Sequence, residues 1–148
     1  MLGVCKRIFV YGSLMEDFYN YNNYLIGKVE KKSYGRILGK LYHLESRGYP
    51  AMIAGSDFIY GEIFELFDWE ATVAKLDELE GYYGPENPKN LYNKTLIEVE
   101  ILQDEPKQLA YVYIYNCKDE LELSKEIYLP EGKWRNFMDD VKNKTIKL

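Results

Sequence analysis

Apolar and polar positions alternate along much of this chain with the period of two that a half-buried strand requires. Residues 32–45, 58–66, 92–102 and 108–115 all carry the pattern. In residues 58–66, Ile59, Gly61 and Ile63 fall on one face, and Tyr60, Glu62 and Phe64 on the other. The run Arg7-Ile8-Phe9-Val10-Tyr11 differs, because it is apolar without alternation and reads as a short strand buried on both sides. It stops abruptly at Gly12-Ser13. Gly35 and Gly39 inside the 32–45 run predict a strand that bends sharply, as barrel strands do. Arg47-Gly48-Tyr49-Pro50 reads as a turn, residues 51–53 as a brief return strand, and Gly55-Ser56-Asp57 as a second turn. Gln103-Asp104-Glu105-Pro106-Lys107 joins the last two long runs as a hairpin.

Helical spacing is rarer. Residues 14–26 look helical but are rich in Asn and Tyr, so the spacing predicts a short or irregular helix. Asp68 reads as the N-cap of a helix running to about Glu80. Residues 82–90, with two prolines, two asparagines and a glycine, form a loop. Residues 121–128 are either a short turn of helix or a crossover, and Gly132-Lys133-Trp134 opens a final amphipathic segment to about residue 142. These elements predict one α+β domain over residues 1–148: a small mixed, partly closed β-barrel of about six to seven strands flanked by short helices.

Composition narrows the function. The chain has 148 residues, a net charge of −5 and 47% hydrophobic residues, which fits one globular domain and argues against non-specific nucleic-acid binding. No apolar run is long enough to span a membrane. Lys6-Arg7 precede only a short apolar run before Gly12, unlike a secretory leader, so a cytoplasmic protein is expected. Without secretion, the glycosylation-type triplets Asn93-Lys94-Thr95 and Asn143-Lys144-Thr145 carry no weight. Cys5 and Cys117 are far apart and read as reduced structural thiols. The single histidine, His43, rules out a multi-histidine metal site and falls in the alternating run Leu41-Tyr42-His43-Leu44, where a strand-surface position is expected. Neither a phosphate-binding Gly-Lys-Ser/Thr loop nor G-x-G-x-x-G occurs, so the chemistry falls to carboxylates, tyrosines and backbone.

Two stretches are candidates for that chemistry. A buried strand that ends at Gly12 and turns leaves backbone N–H groups unpaired and aimed one way, suited to a carboxylate, a phosphate or an oxyanion. The bland alternative is an ordinary strand-to-turn transition. In the 68–80 helix, Trp69, Val73, Leu76, Leu79 and Tyr83 project over one face at about 100° per residue, and Glu80 falls roughly 40° from its centre. Glu78 lies nearly opposite and Asp77 beyond the edge. Glu80 is also at the helix C-terminus, where the dipole disfavours negative charge, with Gly81 behind it as a C-cap. Such a carboxyl should have a raised pKa and serve as a general base near neutrality. The alternative is a frayed last-turn glutamate reaching solvent.

Together, Val10-Tyr11-Gly12-Ser13-Leu14 and Leu76-Asp77-Glu78-Leu79-Glu80-Gly81-Tyr82 resemble the gamma-glutamylcyclotransferase-like superfamily, in the form of its small branch that includes gamma-glutamylamine cyclotransferases. Gly39-Lys40-Leu41-Tyr42, Tyr49-Pro50-Ala51, Tyr60-Gly61-Glu62-Ile63-Phe64, Ala110-Tyr111-Val112-Tyr113 and Gly132-Lys133-Trp134 agree in order and spacing, so the likeness covers nearly the whole chain. The resemblance implies a cofactor-independent cyclotransferase. Its γ-glutamyl substrate would lose 5-oxoproline, with release of an amine or amino acid. It casts Glu80 as the catalytic base and Tyr11, Gly12, Ser13 and Leu14 as the substrate-binding cradle, with Tyr82 and Tyr113 as further substrate donors or packing residues. A monomer or homodimer with a small-molecule substrate is the expected working form. Two departures bear on substrate identity: Met15-Glu16-Asp17 stand where much of the branch has basic residues, and Tyr92-Asn93-Lys94 replaces Tyr-x-Arg. Two other classes stay open, a non-catalytic binder of a small carboxylate metabolite and a protein-interaction module on the same barrel.

Overall fold

The computed structural model describes residues 5–146, with side chains through Asn143, so Lys144 and Thr145 of the second triplet lie outside the described side chains. In chain order the elements are β1 (Arg7–Val10), α1 (Tyr19–Tyr24), β2 (Val29–Leu44), β3 (Tyr49–Leu66), α2 (Trp69–Leu79), β4 (Tyr92–Ile101), β5 (Gln108–Tyr115), a 3-10 turn (Glu120–Leu123), β6 (Ile127–Tyr128) and α3 (Trp134–Ile146). The strands run in the order β3-β1-β5-β4-β2-β6, and a further β2–β3 pairing closes the first five into a barrel, with β6 added outside on β2. The sheet is mixed: β1 and β5 are parallel at Ile8 and Tyr111, while the remaining pairs are antiparallel. The expected partly closed barrel is therefore closed, because β2 and β3 are long enough to pair along nearly their whole length.

The unbroken apolar run of β1 has its predicted place. Ile8, Phe9 and Val10 are consecutive and all buried, as expected for a strand covered on both faces. They join Leu41, Ile59, Ile63, Phe64, Val99 and Val112 in the barrel core, while Leu76 of α2 and Trp134 of α3 seal it from outside. No described helix is long and apolar enough to cross a membrane, and Cys5 and Cys117 are both free thiols.

Two local expectations are corrected, and a third, the Asp68 cap, holds in position only. Gly55-Ser56-Asp57 is not a turn, since β3 runs through it: Gly39 pairs with Asp57 but Lys40 with Ile53, so the extra residues bulge out of an otherwise continuous ladder. The two backbones touch there, and a Cβ on Gly55 would lie 2.9 Å from the Gly39 carbonyl carbon. Asp68 stands at the N-cap of α2, but its backbone is left-handed (φ 47°, ψ 51°) and its side chain makes no cap hydrogen bond. His43 lies in β2 as expected but is buried rather than on the surface, 7% exposed. The Trp134 indole N–H donates to His43 Nδ1 at 3.0 Å. Burial pushes the imidazole pKa down, and the nearby carboxylates of Glu45 and Glu126 offset only part of the lost hydration of its charged form.

Candidate active site

The site is built where β1 ends and α2 ends. After Val10 the chain leaves the sheet and turns, with the Met15 N–H donating to the Gly12 carbonyl at 2.9 Å. The N–H groups of Gly12, Ser13 and Leu14 have no hydrogen-bond partner among the described residues. The turn is held from below by Glu62, a buried carboxylate of β3. Glu62 accepts from the Glu16 N–H at 2.9 Å and from Arg135 of α3 at 2.9 Å, while Arg135 also donates to the Glu16 carbonyl at 2.8 Å. One end of the cradle is thus fixed by an ion pair that reaches across from the C-terminal helix.

α2 arrives from the other side. Its inner face buries Thr72, Val73 and Leu76, which aims Glu80 at the barrel as the spacing predicts. The helix ends there: the Glu80 N–H donates to the Leu76 carbonyl at 2.9 Å, and Gly81 adopts φ +65°, the left-handed C-cap conformation that glycine enters at least cost. The loop after it folds back, with the Leu91 N–H on the Gly81 carbonyl at 3.0 Å. Asn90 organises that loop, accepting from the Tyr83 N–H at 2.7 Å and donating to the Gly84 carbonyl at 2.8 Å.

Between the two lies a cavity of about 120 Å³. The segment from Phe9 to Leu14 forms one wall, Leu79 and Glu80 another, and Asn20, Tyr49, Pro50, Leu91, Tyr92 and Tyr113 complete it. Of the residues proposed from sequence, Glu80, Tyr11, Gly12, Ser13, Leu14 and Tyr113 therefore meet in one place. Tyr82 does not line the cavity; it packs on the core under Lys94, whose Nζ sits 5.1 Å from its ring centre. Met15, Glu16 and Asp17 do not line it either, nor do Asn93 and Lys94, so both sequence departures fall beside the cavity rather than in it. Asn20 enters the wall without any sequence signal, donating to Ser13 Oγ at 2.7 Å. Tyr49, Pro50 and Tyr92 were visible only as parts of longer motifs.

The electrostatics are one-sided. Glu80 accepts no hydrogen bond from the described residues, and desolvation raises its carboxyl pKa to about 7. Three phenols surround it with their protons directed elsewhere. Tyr11 donates to the Tyr113 carbonyl at 2.6 Å, Tyr92 to the Pro50 carbonyl at 2.7 Å, and Tyr113 to Asp77 Oδ1 at 2.7 Å. All three pKa values are pushed upward, chiefly by burial; at Tyr113 the Asp77 carboxylate adds to this, and the nearby Glu80 charge contributes at all three. The cavity therefore presents backbone donors on one wall and an unassisted carboxylate on the other. Among the described residues, no group of three or more His, Cys, Asp or Glu side chains is placed to hold a metal ion.

Comparison with known proteins agrees with this architecture. The family model described as gamma-glutamyl cyclotransferase, AIG2-like, matches residues 8–136. Gamma-L-glutamyl-butirosin B gamma-glutamyl cyclotransferase from Niallia circulans is 32% identical over 116 residues, covering 78% of this chain and 70% of that protein. Among solved structures, an aig2-like protein from Mus musculus superposes with a TM-score of 0.65 at 21% identity, covering 84% of this chain and 86% of that one. YkqA from Bacillus subtilis gives a TM-score of 0.63 at 20% identity over 93% of this chain, which spans only 42% of YkqA. The chain belongs to the gamma-glutamyl cyclotransferase, AIG2-like family of enzymes.

Proposed function

We propose that this protein cyclises a γ-glutamyl compound to 5-oxoproline and releases an amine or amino acid, with Glu80 moving the proton. The observation that carries this reading is the state of Glu80: a carboxylate without a hydrogen-bond donor, with a pKa of about 7, facing a wall of unpaired N–H groups across a small cavity. A base needs a pKa near the operating pH. A protein that only bound a carboxylate would gain nothing from a desolvated carboxylate of its own, which costs stability.

The substrate's α-amine arrives protonated and is not nucleophilic. Glu80 takes a proton from it, and the freed nitrogen attacks the γ-carbonyl carbon to form the ring C–N bond. Glu80 returns that proton to the departing nitrogen and takes the second proton from the ring nitrogen as the original amide C–N bond breaks. The second proton then leaves with the released amine as its ammonium form, which restores the Glu80 carboxylate. Backbone N–H groups of Gly12, Ser13 and Leu14 hold the α-carboxylate or the oxyanion of the tetrahedral intermediate. Holding the glutamyl chain folded, amine against carbonyl, supplies much of the acceleration. Every proton transfer uses this chain's own residues. The named relative from Niallia circulans also acts on a γ-glutamyl compound, which supports the substrate class. We place the reaction in the cytoplasm, on a monomer or homodimer.

The test is release of 5-oxoproline from a panel of γ-glutamyl amino acids, γ-glutamyl-ε-lysine, other γ-glutamylamines and glutathione. Each compound is paired with its α-N-acetyl counterpart. Product from at least one free-amine compound and none from its blocked partner is expected. Panel members that raise the melting temperature without yielding 5-oxoproline would overturn the reading in favour of a binding protein.

A further inference from the structure

Glu80 lacks a donor even though three phenols crowd it, and one of those phenols has an obvious reason to stay turned away. Asp77 stands three residues before Glu80 on α2, so the two carboxylates are neighbours on the helix surface. Tyr113 lines the Glu80 cavity and gives its proton to Asp77 Oδ1 at 2.7 Å. Lys94 of β4 donates to the other oxygen, Asp77 Oδ2, at 2.9 Å, and its ammonium also lies over the rings of Tyr82 and Tyr111. Asp77 is thereby pinned between β4 and β5, with one oxygen for the lysine and one for the phenol.

We propose that Asp77 is a positioning residue for Glu80: by holding the Tyr113 hydroxyl proton, it denies Glu80 a donor that lines the same cavity and keeps that carboxylate basic. A hydrogen bond from a phenol would stabilise the charged carboxylate and lower its affinity for the proton. Of the other hydroxyls lining the cavity, Ser13 accepts from Asn20 and Tyr49 from Arg47. The two other phenols that feel the Glu80 charge give their protons away, Tyr11 to the Tyr113 carbonyl and Tyr92 to the Pro50 carbonyl. Both are fixed by buried main-chain acceptors. Of these three phenols, Tyr113 alone gives its proton to a side chain, so Asp77 is the residue whose loss would change what Glu80 feels. Lys94 acts through Asp77, holding its carboxylate in place. The Lys94 position in Tyr92-Asn93-Lys94 thus belongs to the wiring of the base.

The significance of the inference rests on reading Glu80 as the base, but its test needs no substrate. Glu80 is titrated directly in the intact protein by carbon-13 carboxyl NMR, its resonance assigned by its loss in Glu80→Gln. A failed turnover assay and a failed titration are then separate results. The wild-type midpoint is expected near 7. Asp77→Leu frees the Tyr113 hydroxyl to donate to Glu80, and the midpoint should fall by about one pH unit. Adding Tyr113→Phe should restore it. Asp77→Asn removes the same charge but still accepts from the phenol through its amide oxygen, and should stay close to wild type. Equal shifts in the Asn and Leu variants would mean that only the Asp77 charge matters, overturning the proposal. A lowered midpoint that Tyr113→Phe fails to restore would overturn it too. Tyr113→Phe alone guards against a misfolded Asp77→Leu. Its midpoint should stay near 7, whereas a rise would mean that Tyr113 was donating to Glu80 all along.

Discussion

Pro50 occupies the space that a side chain at Gly12 would need. A Cβ on Gly12 would lie 2.5 Å from Pro50 Cγ and 2.8 Å from its Cδ. Gly12 is therefore required by the wall opposite it, and not only by the approach of a ligand. Pro50 has little room to retreat, because its carbonyl holds the Tyr92 hydroxyl at 2.7 Å. Gly12→Ala should lower unfolding stability by about 1–3 kcal/mol, as overpacking does. It should also raise KM more than it lowers kcat, because both residues line the cavity. Urea unfolding and steady-state kinetics check the two halves. Unchanged stability and KM would show that the Pro50 ring moves aside freely.

The Arg135–Glu62 pair supports the cradle from the far side of the chain. Glu62 is nearly fully buried, and Arg135 is its only ion-pair partner among the described residues. Arg135→Met keeps an unbranched stem against Phe18, which the guanidinium now overlies at 4.8 Å, but leaves the carboxylate with one donor fewer. We expect a loss of about 1–3 kcal/mol, the cost of an unsatisfied buried polar group, together with weaker substrate binding as the 12–16 turn loosens. Glu62→Gln keeps an acceptor for the Glu16 N–H and should lose less. Urea unfolding of both variants, with KM beside it, tests the order. Equal losses would mean that the ion pair and not the turn contact dominates.

Glu80 should make the protein less stable at alkaline pH than at acidic pH. Its carboxyl titrates at about 7 when folded, against an ordinary value of 4.5. Between those two pH values the folded chain binds the proton and the unfolded chain does not. Stability therefore falls as pH rises through that window, by on the order of 3 kcal/mol in full. Glu80→Gln removes the penalty. At pH 8 it should be more stable than wild type by about 1–3 kcal/mol, and the advantage should shrink towards pH 5. Denaturation at both pH values measures this, and a variant less stable than wild type at pH 8 would contradict the burial argument.

The parts legible from sequence were those set by local geometry. The strand stopping at Gly12 and the inward aim of Glu80 follow from backbone turns and a period of about 3.6 residues. Gly81 as the C-cap follows from the same local rules. What escaped depends on elements far away in sequence. Helical spacing puts Asp77 beyond the edge of the apolar face of α2, which is right for the helix alone. The edge is where β4 and β5 deliver Lys94 and Tyr113. Alternation alone suggests a surface position for His43, because it gives a strand two faces without saying which is covered. Here Trp134 of α3 stacks on it and Phe137 packs against it at a tilt. The turn expected at Gly55-Ser56-Asp57 was a bulge because its glycine meets Gly39 across the ladder, a contact that only the pairing register reveals.

The central claim is that Glu80 carries the proton in a cyclisation. The most direct measurement compares 5-oxoproline release by wild type and Glu80→Gln near pH 7.5, on whichever γ-glutamyl substrate turns over, with folding confirmed by near-UV circular dichroism. A folded Glu80→Gln protein that binds substrate and releases no product above background is the expected result. A Gln variant that forms 5-oxoproline at the wild-type rate would contradict the account.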